Sequence, residues 1–269
     1  MRVTISLLLV VALGASAPPD GYAAQRLAVG TTFSHIFEQG EDGQWHGLGV
    51  DVLRALAARA GDTIVFKLYP WPRAQAMVER GQADILVGPY KSPERLRRFA
   101  FLDQAFYRDR MVFYARRDAE PAWRGDLAAL RAHRIGTVRG WHYGAQFDQA
   151  RAQLDISEVS QLENGMQMLA LGRVDLLATN ERNTAGLIDS LHLRDALTAL
   201  CPDLTQLDGY LAFPLDLKFK AVRDRYNALF AEMVRSGELA KLGARNGVLV
   251  PSNDGAARQS STCSDKHRP

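Results

Sequence analysis

Apolar and polar positions along this chain follow two periods. Short runs rich in Val, Ile, Leu and Phe, bounded by Gly, Pro, Asp or Asn, predict strands over 26–30, 63–68, 84–87, 110–115, 134–138, 174–178 and 209–213. Longer stretches with apolar residues every third or fourth position predict helices. One covers 51–60, with Val52, Leu56 and Ala60 on one face and Gly61 ending it. Others cover 72–80, 126–132, 144–153, 164–171 and 221–235. The last carries Val222, Tyr226, Leu229, Phe230 and Met233 on one face. Strands and helices alternate with short connections, which predicts mostly parallel sheets flanked by helices. The apolar run at 110–115 separates two such α/β units.

One stretch stands out. Ile85, Leu86 and Val87 form a buried-strand run that enters the polar turn Gly88-Pro89-Tyr90-Lys91. Ser92 and Pro93 then signal a helix start, with Arg95 in its first turn. Backbone N–H groups and a guanidinium thus meet at the carboxyl end of a strand, where open α/β sheets bind anions.

Composition narrows the class. The chain has 269 residues, 47% hydrophobic and 23% charged, as in a globular protein of one large domain or two lobes. A net charge of +3, with no sustained basic run, argues against nucleic-acid binding. Arg2, the apolar run from Ile5 to Leu13 and the small residues after it predict a cleaved secretory signal over 1–24. The apolar run is too short to span a bilayer. Residues 251–269 are Ser, Asn, Asp, Gly, Gln and charge, and predict a disordered tail. The two cysteines, Cys201 and Cys263, could pair in an oxidising compartment. No C-x-x-C or zinc spacing occurs, so no metal or cofactor is expected.

Several segments together resemble the bacterial extracellular solute-binding proteins of family 3, over roughly 26–250. Leu27-Ala28-Val29-Gly30-Thr31 is similar to that family's opening strand. Gly47-Leu48-Gly49-Val50-Asp51-Val52-Leu53 resembles its "G-[FY]-D-V-D-L" segment, with Gly49 where the first Asp is usual. Ser92-Pro93-Glu94-Arg95, followed by Phe99-Ala100-Phe101, resembles its "[ST]-x-E-R" segment. Ile135-Gly136-Thr137-Val138-Arg139-Gly140 and Gly172-Arg173-Val174-Asp175-Leu176-Leu177 resemble "V-G-V-x-x-G" and "G-[RK]-x-D-A". The resemblance implies a two-lobe α/β periplasmic binding protein fold of type II. Each lobe is a mostly parallel sheet flanked by helices, and two hinge strands fall near 107–113 and 208–213. The first lobe would comprise 25–108 and 209–250, the second 109–208. It also implies a monomer that binds a small ligand in the interlobe cleft and serves an inner-membrane ABC permease.

The resemblance then assigns the cleft. Arg95 would hold a ligand carboxylate, for which a planar guanidinium is well matched. Backbone groups of Gly88 and Tyr90 would lie beside it, and the Tyr90 ring either covers the ligand or packs in the lobe core. Trp71, in a stiff turn between Pro70 and Pro72, and an aromatic residue among Phe33, His35 and Phe37 would form walls. Backbone N–H groups of the loop Arg139-Gly140-Trp141-His142-Tyr143 would reach the carboxylate from the second lobe. Trp141 and His142 stand there in place of small hydroxyl residues. His142 is either a cleft residue or a hydrogen-bonded surface one. Asn180 occupies the position of an aspartate that pairs with the ligand ammonium in amino acid binders. Asn is neutral, so the ligand is either an amino acid held differently or an acid without the amine. The other reading of Asn180 is a helix cap. Asn183 is a second polar candidate, Glu181 is expected to point elsewhere, and Lys91 to be solvated.

The first functional expectation is therefore a periplasmic carrier of a carboxylate-bearing, amino-acid-like solute, and not an enzyme. The alternatives are a periplasmic enzyme on the same fold, resembling cyclohexadienyl dehydratases, or a ligand-sensing module. Catalysis would need a general acid in the cleft, for which His142 and Glu181 are the candidates.

Overall fold

The computed structural model describes residues 24–119 and 123–251. The predicted signal sequence, apart from Ala24, and the predicted tail, apart from Pro251, lie outside these residues, as does Cys263, the other cysteine of the pairing considered for Cys201. The strands are β1 (Gln25–Gly30), β2 (Glu38–Gln39), β3 (Trp45–His46), β4 (Thr63–Leu68), β5 (Ile85–Tyr90), β6 (Phe99–Phe101), β7 (Tyr107–Arg116), β8 (Arg134–Val138), β9 (Asp155–Val159), β10 (Leu176–Asn180), β11 (Leu197–Ala199) and β12 (Thr205–Pro214). The helices are α1 (Leu48–Ala60), α2 (Trp71–Glu79), α3 (Pro93–Leu96), α4 (Ala145–Ala150), α5 (Leu162–Ala170), α6 (Glu181–Ser190), α7 (Lys220–Arg235) and α8 (Glu238–Asn246).

One curled sheet runs β4-β1-β5-β12-β7-β10-β8-β9. β1 pairs in parallel with β4 and β5, and β8 pairs in parallel with β9 and β10. The two parallel halves are joined by β12 and β7, which run antiparallel from Thr205↔Met111 to Gly209↔Tyr107. β12 continues along β5, and β7 along β10. The crossings expected near 107–113 and 208–213 therefore fall on β7 and β12, each longer than the sequence indicated.

Most elements match the expected periods, and the exceptions have local causes. α1 begins at Leu48 rather than 51, because Gly47 turns the chain at φ 111° against the Ile36 backbone. A Cβ there would lie 2.5 Å from the Ile36 carbonyl carbon, so only glycine fits. β5 does not end at Val87: it runs on to Tyr90, which pairs with Gly209 across a register shift. The helix expected over 144–153 is α4 followed by a 3-10 turn, Arg151–Gln153. That over 126–132 is a 3-10 turn, Leu127–Leu130, capped by Asp126. β2, β3, β6, β9, β11 and α8 were not indicated, and α6 only through the reading of Asn180 as a helix cap. β9 is an edge strand with one fully buried residue, and α6 has a largely polar sequence.

Two tight features carry predictions. A Cβ on Gly209 would lie 1.8 Å from Tyr107 Cε1, and the Tyr107 hydroxyl is fixed by donating to the Gly88 carbonyl at 2.7 Å. Gly209→Ala must displace a buried ring at the hinge and is expected to destabilise by about 1–3 kcal/mol. An unchanged urea midpoint would contradict this. The second is Asp175, whose carboxylate accepts from the Arg134 backbone N at 2.8 Å and from Nη2 at 2.7 Å. Arg134 holds the Asp175 carboxyl below its ordinary value. A carboxyl lowered in the folded state stabilises above its unfolded pKa, and that contribution is lost as pH falls through the folded value. Asp175→Asn should therefore lose less stability than wild type on acidification from about pH 5 to about pH 2. Equal losses in a denaturation series would exclude the effect.

Candidate functional site

β5 delivers Tyr90 and then Lys91 to Ser92, whose Oγ accepts the Arg95 backbone N–H at 3.2 Å and starts α3. This cap turns the Arg95 side chain back toward the junction of the two halves. Nη1 donates to the Tyr90 carbonyl at 3.0 Å, and Nη2 crosses to the Gly140 carbonyl at 2.9 Å. Arg95 is 5% exposed, yet among the described residues no carboxylate lies within ion-pairing distance of it. Burial pulls its pKa down, while Tyr90, Glu94, Tyr107 and Asp148 favour the charge from further away. Two of its five N–H donors are in use, both on backbone carbonyls.

Eight of the residues named from the sequence meet around one small cavity. Phe33, Trp71, Gly88, Tyr90 and Arg95 face it from the first half, and Trp141, His142 and Asn180 from the second. Of the three aromatic candidates after β1, Phe33 takes the wall. Phe37 packs in the core, and His35 is exposed. Phe33 meets Trp71 edge-on with centroids 5.3 Å apart, and lies 6.4 Å from Trp141. The Trp71 indole N–H donates to the Gly140 carbonyl at 3.2 Å. The walls leave about 10 Å³, room for about one water molecule. Past Arg95 and His142 the cleft widens into a chamber of about 480 Å³, bordered by Ser92, Arg98, Asp148 and Arg151.

In the second-half loop two of the expected N–H donors are engaged within the protein. Trp141 N–H is spent on the Val138 carbonyl at 3.2 Å, and Tyr143 N–H on Asp148 at 3.4 Å. The turn instead aims the Gly140 carbonyl at the guanidinium. His142 is 9% exposed, and its Nδ1 contacts Asp148. Asn180 has both roles considered for it: it lines the cavity, and its Oδ1 accepts from Asn183 N–H at 2.8 Å to cap α6. Its Nδ2 makes no hydrogen bond among the described residues. Tyr90 likewise both lines the cavity and packs inward. Glu181 pairs with Arg110 at 2.7 Å, away from the cavity, as expected. Lys91 is not simply solvated: its ammonium sits 3.9 Å from the Tyr210 ring centroid, and burial lowers its pKa.

Sequence reading missed a buried ion pair behind the cavity. Arg182 forks onto Asp109 at 2.9 and 2.8 Å, and the Tyr90 hydroxyl donates to Asp109 at 2.6 Å. Arg182 also reaches the Ser34 carbonyl, and Asn183 Oδ1 accepts from Ser34 N–H at 3.0 Å. These contacts tie α6 to the loop after β1 across the cleft. Burial lowers the Arg182 pKa, but Asp109 outweighs it and the net shift is upward. Burial, then Asp109, push the Tyr90 phenol well above its ordinary value. One signal was available: strand alternation puts Asp109 on the same inward side as Tyr107 and Met111.

Comparison with family models matches residues 27–247 to the bacterial extracellular solute-binding proteins, family 3. No curated protein sequence matches. A solved histidine kinase sensor domain, described as similar to periplasmic binding proteins, superposes with a TM-score of 0.76 at 20% identity, covering 85% of this chain and 99% of that one. The substrate-binding protein of an ABC uptake transporter from Streptococcus pneumoniae, with bound histidine, gives 0.69 at 14%, covering 82% and 91%. A putative L-cystine ABC transporter protein from Listeria monocytogenes gives 0.68 at 16%, covering 83% and 95%. At these identities the likeness speaks for the fold, the two-lobe type II periplasmic binding protein fold that the sheet order already outlines.

Proposed function

Because the chain belongs to the bacterial extracellular solute-binding proteins of family 3, we propose that it captures a small carboxylate-bearing solute between its lobes and delivers it to an ABC permease. In this reading residues 25–108 and 209–250 form one lobe and 109–208 the other. The protein works as a monomer in the periplasm. The observation that carries the proposal is Arg95, a buried cation at the lobe junction that touches only two carbonyls. A desolvated guanidinium without a counter-charge is costly, and a bidentate carboxylate relieves that cost. Such a ligand would bond to the N–H groups of Arg95 that the Tyr90 and Gly140 carbonyls leave unused. The aromatic walls, contributed by both lobes, would close on its apolar part. The hinge strands β7 and β12 let the lobes separate for entry and close afterwards.

The test is a thermal-shift screen of amino acids and organic acids, followed by calorimetry and product analysis of each hit. Binding raises apparent stability by mass action. A hit recovered unchanged supports a carrier. No stabilisation by any carboxylate would refute the proposal.

A catalytic reading has one specific support, the contact of His142 with Asp148 beside Arg95 at the mouth of the larger chamber. A carboxylate-backed imidazole is a competent general acid or base. Conversion of a hit, lost in His142→Gln, would favour it. The likeness to a sensor domain supports a third reading, reporting of occupancy to a partner protein, through the fold alone.

A further inference from the structure

We infer that the site is built for a 2-oxo or 2-hydroxy carboxylate rather than for an amino acid. The inference rests on Arg95 as the carboxylate anchor and extends that reading to the neighbouring substituent of the ligand. An α-ammonium brings a positive charge and three donors, and needs acceptors and a counter-charge where it is desolvated.

Around this cavity both are already committed. Asp109 is gripped by Arg182 through two bonds and by the Tyr90 hydroxyl. Asp148 faces His142 and Tyr143 N–H, and Glu181 is held by Arg110. The backbone acceptors are engaged as well. The Gly88 carbonyl takes the Tyr107 hydroxyl, the Tyr90 carbonyl takes Arg95, and the Gly140 carbonyl takes both Arg95 and Trp71. The Trp71 face, which could attract a cation, already has the Arg95 guanidinium 5.7 Å from its centroid. The imidazole of His142 can lend a lone pair but no charge when neutral.

What remains at the cavity is donor capacity. Asn180 spends Oδ1 on capping α6, and its backbone carbonyl accepts from Thr184 Oγ1 at 2.8 Å. Its Nδ2 is left, in the cavity that Arg95, with its spare N–H groups, also lines. A carbonyl or hydroxyl oxygen next to the ligand carboxylate meets this arrangement. An ammonium meets an amide NH₂ and a guanidinium, both of the wrong polarity.

The experiment uses matched sets that differ only at C2: phenylalanine, phenylpyruvate and phenyllactate, then leucine and its 2-oxo and 2-hydroxy analogues. Affinities are measured by calorimetry on wild type and on Asn180→Asp. Aspartate caps a helix as well as asparagine, so the variant keeps α6 while exchanging the Nδ2 donor for a charged acceptor. Expected is tighter binding of the oxo or hydroxy acid by wild type, by at least about tenfold, and a reversal of order in Asn180→Asp. If wild type prefers the amino acid, and Arg95→Ala removes that binding, the inference fails while Arg95 stands as anchor. If no member of either set binds, the Arg95 reading fails and takes the inference with it. If wild type shows the expected order but Asn180→Asp leaves it unchanged, the assignment to Asn180 is overturned.

Discussion

Arg95→Ala is expected to abolish ligand binding, with a loss of at least about 2 kcal/mol, or about 30-fold in affinity. The mutation removes the only buried cation that lines the cavity without a carboxylate at ion-pairing distance, among the described residues. It should do so without harming the free protein. The native guanidinium is desolvated and bonded only to two carbonyls, so the unfolding midpoint of the variant should be unchanged or higher. Arg95→Lys keeps the charge but loses the planar fork and should fall between the two. Calorimetry with a hit from the acid screen, together with a thermal melt, checks both halves. Wild-type affinity in a folded Arg95→Ala protein would place the ligand elsewhere.

The second large effect concerns stability. Asp109 is buried, Arg182 exposes only 12% of its side chain, and the two are bonded to one another through two contacts. Asp109→Ala leaves Arg182 buried without its partner and is expected to cost about 3–5 kcal/mol, a large share of the stability of a chain of this kind. The double variant Asp109→Leu with Arg182→Leu should lose much less, because both desolvated charges go together. Urea denaturation of the singles and the double gives the coupling. A single-variant cost below about 1 kcal/mol would mean that the pair is solvated.

The contrast between Arg95 and the Asp109–Arg182 pair shows what the sequence could convey. Arg95 was legible because strand, turn, cap and helix follow one another within a dozen residues, and local rules place it. Trp71 and Tyr90 were legible for the same reason, since each stands where a strand gives way to a helix or turn, whereas Trp141 and Asn180 were reached through the family resemblance. Asp109 and Arg182 lie 73 positions apart, and only the pairing of β7 with β10 brings them together. The Gly140 carbonyl was not legible, because its direction depends on a turn in which Trp141 N–H is spent on Val138 and Tyr143 N–H on Asp148. The body of α6 was not legible because its sequence is polar; only its start was, through the Asn180 cap. The double duty of Asn180, cap and wall, has no trace in periodicity. It decides which atom of the side chain is left for a ligand.

On the proposed function, a small carboxylate is held at Arg95 between two lobes that close over it. Small-angle X-ray scattering of the free and ligand-saturated protein tests this most directly, with a hit whose binding has been shown by calorimetry to depend on Arg95. A smaller radius of gyration at saturation, restored to the free value in Arg95→Ala at the same ligand concentration, is the predicted result. An identical radius with and without ligand, at proven saturation, would contradict closure of the lobes around it.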